Sequence, residues 1–314
     1  VLVFVWVLLA LWLPALAARL ARPVIWLREH LGVLRWPVIA YLLIFPARVL
    51  PFTNIGLTVA TPAARLALLV STAAGIALLA TRSTQRLVAW GPALAGLIAA
   101  GSAFTLGSEL VWVTDYPLSI SWSEGNRIWD YSILFGRHLY NYPAGQPIEA
   151  YIDQGRQAVW GLPFLLPKVT IWEERLWSAI VVTLPYAMLG WAAFRPARSR
   201  LAQWVWAGLW TFIFLDQGPI YTPLVLCAIL VALARRQPFW LSLPLVFIAG
   251  YYAELSRMTW MFAPAIWAGV NALVEPATGP ASPDRRTWAR AISLGAAGLL
   301  GGLIFSGVSP DGLL

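Results

Sequence analysis

Ten apolar stretches follow one another along this chain of 314 residues, and they constrain its fold more than any other feature. The hydrocarbon core of a bilayer is about 30 Å thick, so a helix needs roughly 20 mostly apolar residues to cross it. The stretches lie at 1–18, 36–50, 62–81, 87–107, 177–194, 201–215, 219–234, 238–253, 258–274 and 289–308. They predict an all-α, polytopic membrane helix bundle of about ten transmembrane helices.

The composition excludes a water-soluble globular protein. Hydrophobic residues make up 60% of the chain and charged residues 11%, against about 25% charged residues in ordinary soluble domains. The formal net charge of +8 would point to nucleic acid in a soluble protein, but a biased distribution of loop charges produces it in a membrane protein. We therefore expect the lipid bilayer as a partner and no nucleic acid.

The loop charges predict an orientation. If the stretches alternate and residues 19–35 are cytoplasmic, the cytoplasmic connections hold 14 basic and 3 acidic residues, and the opposite side holds 8 basic and 11 acidic residues. Because Lys and Arg are retained on the cytoplasmic side during insertion, this asymmetry supports the alternation. We expect an integral protein of a bacterial plasma membrane, with the long loop 108–176 extracytoplasmic.

The chain accordingly divides into three predicted parts: N-terminal transmembrane helices (1–107), the extracytoplasmic loop (108–176) and C-terminal transmembrane helices (177–314). The loop contains 8 of the 14 acidic residues. Polar groups that cluster on one side of a lipid-solvated bundle favour a functional site there. The glycine-spaced stretches 91–101 and 295–302 instead predict close packing between helices.

Within the loop, residues 116–143 have the pattern of an amphipathic helix lying at the membrane surface. Ser121 and Glu124 have the spacing of a capping box, and Gly136 stands near the far end. Apolar residues recur at helical spacing between charged ones. The polar stretch 149–161 favours a second surface helix.

The order of these features resembles the GT-C superfamily of membrane glycosyltransferases. The resemblance covers roughly residues 110–275. It is carried by the surface-helix segment SEGNRIWDYSILFGRHLY, the return GLPFLLPK and the Arg-led helix ERLWSAIVVTLPYAML. Enzymes of that superfamily take sugars from polyprenyl-phosphate donors. The resemblance implies a transferase that moves a sugar from such a donor, its partner, to an acceptor at the extracytoplasmic face.

Such a transfer needs a carboxylate that accepts the acceptor's proton. Glu124 is the first candidate because a helix N-terminus keeps it ionised and the resemblance aligns it with the family's loop carboxylate. Asp130 and Asp115 are further candidates. Each has a structural alternative: Glu124 as the capping partner of Ser121, Asp130 as an ion-pair partner of Arg127, and Asp115 as a marker of the membrane boundary.

The transfer also needs cations that stabilise the departing phosphate, and arginine suits this because its planar fork donates two parallel hydrogen bonds. Arg257 could project towards the loop from a short external turn, or it could simply pair with Glu254 one helical turn earlier. The candidates are Arg127, Arg137, Arg156, Lys168, Arg175 and Arg257.

No cofactor is predicted. Divalent cations bound by carboxylates occur in the superfamily, but the chain shows no spaced cluster of Asp, Glu and His residues that requires one. His138 alone, near a helix end, is typical of a surface residue.

Two other functions remain open. A multi-pass transporter or flippase is favoured by the proline-rich, Asn-bearing break at 46–65, although ionisable residues are sparse inside the apolar stretches. A non-catalytic subunit of a larger membrane complex fits two differences from the resembled enzymes. At least four crossings precede the loop, and Ser123-Glu124 stands where an acidic pair is common.

Overall fold

The computed structural model describes residues 2–59, 61–140, 143, 146, 148, 150–194, 201–218, 221–274 and 284–304. Throughout these residues the regular secondary structure is helical. The chain forms two compact units, of which unit 1 comprises residues 1–112 and 205–214, and unit 2 comprises residues 113–204 and 215–314. Most of the predicted loop therefore belongs to the same unit as the helices that follow it.

Unit 1 is built from apolar helices with short connections. A proline begins or nearly begins several of them, which suits the first turn of a helix because the amide of that residue has no partner there. The helices are α1 (Leu2–Trp12), α2 (Pro14–Leu20), α3 (Arg22–Leu31), α4 (Arg35–Phe52), α5 (Ile55–Thr58), α6 (Pro62–Ala80) and α7 (Trp90–Leu110). Residues 205–214 of α11 (Leu201–Asp216) also belong to this unit.

Unit 2 combines short helices of the predicted loop with long apolar helices. Single 3-10 turns at Arg137–Leu139, Leu162–Leu165 and Met258–Trp260 join some of them. The helices of this unit are α8 (Glu124–Gly136), α9 (Gln154–Trp160), α10 (Ile171–Ala193), α12 (Thr222–Ala234), α13 (Phe239–Ser256), α14 (Ala263–Val274) and α15 (Arg285–Leu303).

Five helices in the described part of the chain have the length and apolar composition to cross a membrane. They indicate an integral membrane protein. Each of the ten predicted stretches overlaps at least one helix, whereas about ten crossings and the sidedness of the loop stay predictions. The five helical segments are Arg22–Phe52, Pro62–Ala80, Trp90–Leu110, Ile171–Ala193 and Phe239–Ser256.

Both stretches predicted within 108–176 contain a helix, although the helix of 116–143 covers only Glu124–Gly136, and their position at the membrane surface stays a prediction. The first, α8, ends at Gly136 as the sequence indicates, and the second, α9, lies inside the predicted stretch 149–161. The predicted capping box of Ser121 and Glu124 is wrong. The residue before α8 is Ser123, whose φ of 60° lies in the left-handed region and whose side chain makes no capping hydrogen bond. Glu124 instead forms an ion pair with Arg175 of α10.

Glycines let α13 and α15 approach closely, as the predicted packing stretch 295–302 indicates. A Cβ atom added to Gly250 of α13 would lie 2.0 Å from the carbonyl oxygen of Gly298. A Cβ atom added to Gly301 would lie 2.1 Å from the carbonyl oxygen of Phe247. Because backbone cannot withdraw as a flexible side chain can, both positions require glycine.

We predict that Gly301→Ala lowers the stability of unit 2 by about 1–3 kcal/mol, the usual cost of overpacking. Gly295→Ala is the matched control in the same helix, since its added methyl group would meet its nearest neighbour, the Ala265 carbonyl oxygen, at 3.6 Å. Thermal unfolding in detergent measures both variants. Equal melting temperatures for the two variants would contradict the predicted difference.

Candidate functional site

The first turn of α10 organises the polar end of unit 2. Its N-terminus is fixed by a capping box, in which Thr170 Oγ1 accepts a hydrogen bond from the Glu173 amide and Glu173 Oε2 accepts one from the Thr170 amide. The next two residues, Glu174 and Arg175, are both buried. The side chain of Arg175 has many hydrogen-bond partners, whereas that of Glu174 has almost none.

All three side-chain nitrogen atoms of Arg175 donate hydrogen bonds. The residue is 5% exposed and donates six hydrogen bonds, all to residues between the end of α7 and the first turn of α8. Its Nη1 and Nη2 groups reach the backbone carbonyl oxygens of Thr114, Tyr116 and Leu118 at 2.8–3.0 Å. The guanidinium group therefore fixes an irregular segment that has no regular secondary structure to satisfy its carbonyl groups.

Glu124 completes the coordination of Arg175. Arg175 Nε lies 2.9 Å from Glu124 Oε1 and Nη2 lies 3.1 Å from Oε2, while the Ile120 amide donates to Oε2 at 2.7 Å. Burial alone would raise the pKa of Glu124, but the hydrogen bonds from Arg175 and Ile120 hold the pKa below its ordinary value. A carboxylate so occupied is a weak base, and this geometry favours a structural role for Glu124 and Arg175.

The lowered pKa of Glu124 gives a pH dependence. A carboxylate whose pKa is lower in the folded state stabilises the fold above its unfolded pKa, and this contribution disappears as the pH falls through the folded value. We predict that Glu124→Gln costs about 1.5–3 kcal/mol at pH 7, typical of a hydrogen bond to a charged group. The difference from wild type should shrink as the pH is lowered below about 4.

Melting temperatures between pH 7 and pH 3 test this prediction. Asp115→Asn is the control because Asp115 is exposed in the same segment. A difference between wild type and Glu124→Gln that stays constant over this range would show that the charge of Glu124 does not act as described.

Glu174 is a buried carboxylate of unit 2 that is not among the residues predicted from the sequence. The residue is 2% exposed, its Oε1 atom accepts only a long hydrogen bond of 3.4 Å from Ser178, and its Oε2 atom has no partner. Buried polar atoms are nearly always hydrogen-bonded, so an unpaired carboxylate oxygen needs an explanation. The sequence signal was a carboxylate at the start of an apolar helix with a serine four residues later on the same face.

Near Glu174, two pairs of stacked aromatic rings and two arginines form a row that we call the aromatic–arginine ladder. Its members are Tyr131, Trp160, Arg156, Tyr221, Trp260 and Arg257. Rings stack at centroid distances of 5.7 and 5.5 Å in the pairs Tyr131–Trp160 and Tyr221–Trp260. The guanidinium group of Arg156 lies 5.9 Å from the centre of the Trp160 ring and 6.0 Å from that of Tyr221, so it bridges the two pairs. Arg257 ends the ladder, 5.6 Å from the Trp260 ring.

Arg156 and Glu174 both act on Tyr131. Burial raises the pKa of the Tyr131 hydroxyl group, the positive charge of Arg156 opposes this shift and the negative charge of Glu174 adds to it. The Nε atom of Arg156 is buried and has no hydrogen-bond partner. One oxygen atom of Glu174 and one nitrogen atom of Arg156 are therefore buried without a hydrogen-bond partner near this tyrosine.

The position of Arg156 is fixed by the docking of α9 on α13. Tyr252 donates a hydrogen bond of 3.0 Å to the carbonyl oxygen of Gly155. A Cβ atom at Gly155 would lie 2.3 Å from Ser256 Oγ, so this glycine permits the close approach. Arg156 is consequently presented by rigid packing rather than by a free loop.

The other predicted carboxylates lie elsewhere. Asp130 is buried, at 4% exposure, and accepts a hydrogen bond of 2.9 Å from the Tyr151 amide. This contact joins α8 to the segment before α9, and the structural role foreseen for Asp130 is played with a backbone amide rather than with Arg127. Asp115 is exposed.

The predicted phosphate-binding residues separate into two groups. Arg156 and Arg257 belong to the aromatic–arginine ladder, and the latter contacts Trp260 rather than forming the alternative pair with Glu254 among the described residues. The remaining candidates have other surroundings: Arg175 is buried against Glu124, Arg137 donates to the Gln146 carbonyl oxygen, and Arg127 and Lys168 are exposed.

Metal ligands are not clustered in the described part of the chain, where no three His, Cys, Asp or Glu side chains come together to hold an ion. His138, the single histidine of the predicted loop, is exposed on the 3-10 turn after α8. The expectation that the protein works without a metal or cofactor stays a prediction.

Comparison with known proteins assigns no family to this chain. No family model matches it, and no curated protein or solved structure is significantly similar to it.

Proposed function

We propose that the protein is a membrane transferase of the GT-C type, which moves a sugar from a polyprenyl-phosphate donor to an acceptor at the extracytoplasmic face. The observation that carries this proposal is the buried carboxylate of Glu174, whose Oε2 atom has no hydrogen-bond partner, close to Tyr131, on which the partly buried Arg156 also acts. Ionisable side chains buried in a membrane protein without partners are costly, and they are usually retained for function.

The chemistry of the two groups suits sugar transfer. The acceptor hydroxyl oxygen bonds to the anomeric carbon of the donor while the bond from that carbon to the phosphate oxygen breaks. Glu174 takes the acceptor's proton, and the departing lipid phosphate keeps the electron pair of the broken bond. Arg156 and Arg257 stabilise the negative charge of that phosphate, and the aromatic faces between them bind the sugar and the lipid near the phosphate.

The depth of the site in the bilayer supports a lipid-linked substrate. Glu174 lies in the first turn of α10, and Arg257 directly follows the last residue of α13. Both helices are long and apolar enough to cross the membrane. Their ends therefore lie near the headgroups, where the phosphate of a polyprenyl-phosphate donor also lies.

We predict that Glu174→Gln lowers the rate of sugar transfer by about 10²–10⁴-fold, the usual contribution of a general base, without weakening donor binding to a similar degree. Release of polyprenyl phosphate from labelled donors by protein in lipid nanodiscs measures the rate. Glu173→Gln is the matched control, because it removes the neighbouring charge and glutamine still completes a capping box. Unchanged transfer by the Glu174 variant would remove this residue from the mechanism.

For donor binding, Arg156→Gln is the informative variant. Loss of a charge-assisted hydrogen bond should weaken binding of polyprenyl phosphate by about 10–100-fold, measured as retention of labelled lipid by purified protein. Lys168→Gln removes the same charge at an exposed position and should bind as wild type does. Equal losses in the two variants would mean that only general electrostatic attraction acts on the lipid.

A transporter is the second candidate, because Glu174 is a buried carboxylate in a helix long enough to cross the membrane, and buried carboxylates of membrane helices carry protons in some transporters. The two functions differ in a direct experiment. A transferase cleaves the sugar–phosphate bond in a closed reconstituted system, and a transporter moves intact substrate across vesicles without cleaving it. Each result excludes the other function as the primary one.

A further inference from the structure

At the opposite end of unit 2, four arginines surround a cavity that sugar transfer does not explain. The cavity has a volume of about 360 Å³ and lies between the end of α12, the beginning of α13 and the first turns of α15. We call it the arginine cup. Its lining residues include Arg235, Arg236, Gln237, Asp284, Arg286 and Arg290.

The charges of the arginine cup favour an anion. Among the described residues, four arginines and one acidic residue line this polar cavity, and several positive charges around one cavity attract an anion. The acidic member, Asp284, already uses Oδ1 to accept hydrogen bonds from the Thr287 amide at 2.8 Å and from Thr287 Oγ1 at 2.7 Å. It therefore caps α15, and the described lining of the cup contains four basic residues and one acidic residue.

Backbone contacts orient two of the arginines. Arg290 Nη2 lies 3.5 Å from the carbonyl oxygen of Gln237, and Arg236 Nη2 lies 3.3 Å from that of Ala193. The first contact ties α15 to the turn before α13. The retention of basic residues on the cytoplasmic side of a membrane depends on how many of them there are. It does not require that they line a single cavity, as these four arginines do.

The position of the cup points to the headgroup layer. The 18 residues of α13 span about 27 Å at 1.5 Å per residue, close to the thickness of the hydrocarbon core. Gln237 of the cup comes two residues before α13 begins, and Arg257 of the aromatic–arginine ladder directly follows its end. The cup and the ladder therefore lie at opposite ends of a helix long enough to cross the membrane.

We propose that the arginine cup binds a phosphate group, held by the paired hydrogen bonds that guanidinium groups donate to phosphate oxygens. The phosphate can come from an anionic phospholipid headgroup or from a soluble phosphate. Basic pockets at the ends of membrane helices recognise such headgroups. This site is independent of the sugar-transfer site and takes no part in that reaction.

The lipid arm of the test uses native mass spectrometry of the full chain in detergent, with phosphatidylglycerol as the probe and diacylglycerol of the same acyl chains as the phosphate-free control. The soluble arm measures thermal stabilisation by inorganic phosphate. Wild type should retain phosphatidylglycerol over diacylglycerol, or be stabilised by inorganic phosphate. The arm that responds identifies the source of the phosphate, and failure of both arms overturns the proposal.

Arg286→Gln combined with Arg290→Gln should reduce the responding signal at least tenfold. Arg285→Gln is the matched control, since Arg285 is exposed on the same helix and does not line the cup. An equal loss of binding in the control would show that net charge alone causes the effect, and it would overturn the proposal. If the double Gln variant does not insert, Arg286→Lys with Arg290→Lys preserves the charge; a loss of several-fold supports paired hydrogen bonding, and unchanged binding overturns it.

Discussion

The hydrogen bonds of Arg175 are the interaction on which the polar end of unit 2 depends. The segment between α7 and α8 has no regular structure, and its carbonyl groups need donors. Arg175 supplies them from the first turn of α10, and Glu124 balances its charge through two parallel hydrogen bonds. Removing one partner of such a buried pair leaves an uncompensated charge, which is why the pair acts as a unit.

This arrangement gives two neighbouring residues of α10 different surroundings. Arg175 uses its hydrogen-bonding capacity within the protein, whereas Glu174 keeps one carboxylate oxygen unpaired. A helix turns by about 100° per residue, so adjacent side chains point to different surroundings. The hydrogen bonds of Arg175 fix the first turn of α10, which also contains Glu174.

Apolar periodicity predicted the helices well, since each long apolar stretch overlaps a helix and Gly136 ends α8 as expected. The residues of the site were harder to predict because long-range contacts decide their roles. Glu124 has the spacing of a capping partner, yet an arginine 51 residues away binds it. Arg156 and Arg257 were predicted phosphate-binding residues, but their placement along one row of rings depends on how α9, α12 and α13 pack. Glu174 was overlooked because a charged residue at the start of an apolar helix usually marks a membrane boundary.

The central claim is that Glu174 and Arg156 face one bound lipid phosphate and its sugar. Electron cryomicroscopy of the protein in nanodiscs with polyprenyl-phosphate sugar tests it most directly. We expect phosphate density within hydrogen-bonding distance of Arg156 and sugar density against the ladder rings, on the side of Glu174. A map in which the ladder is closed by protein side chains alone, with lipid phosphate bound elsewhere, would contradict it.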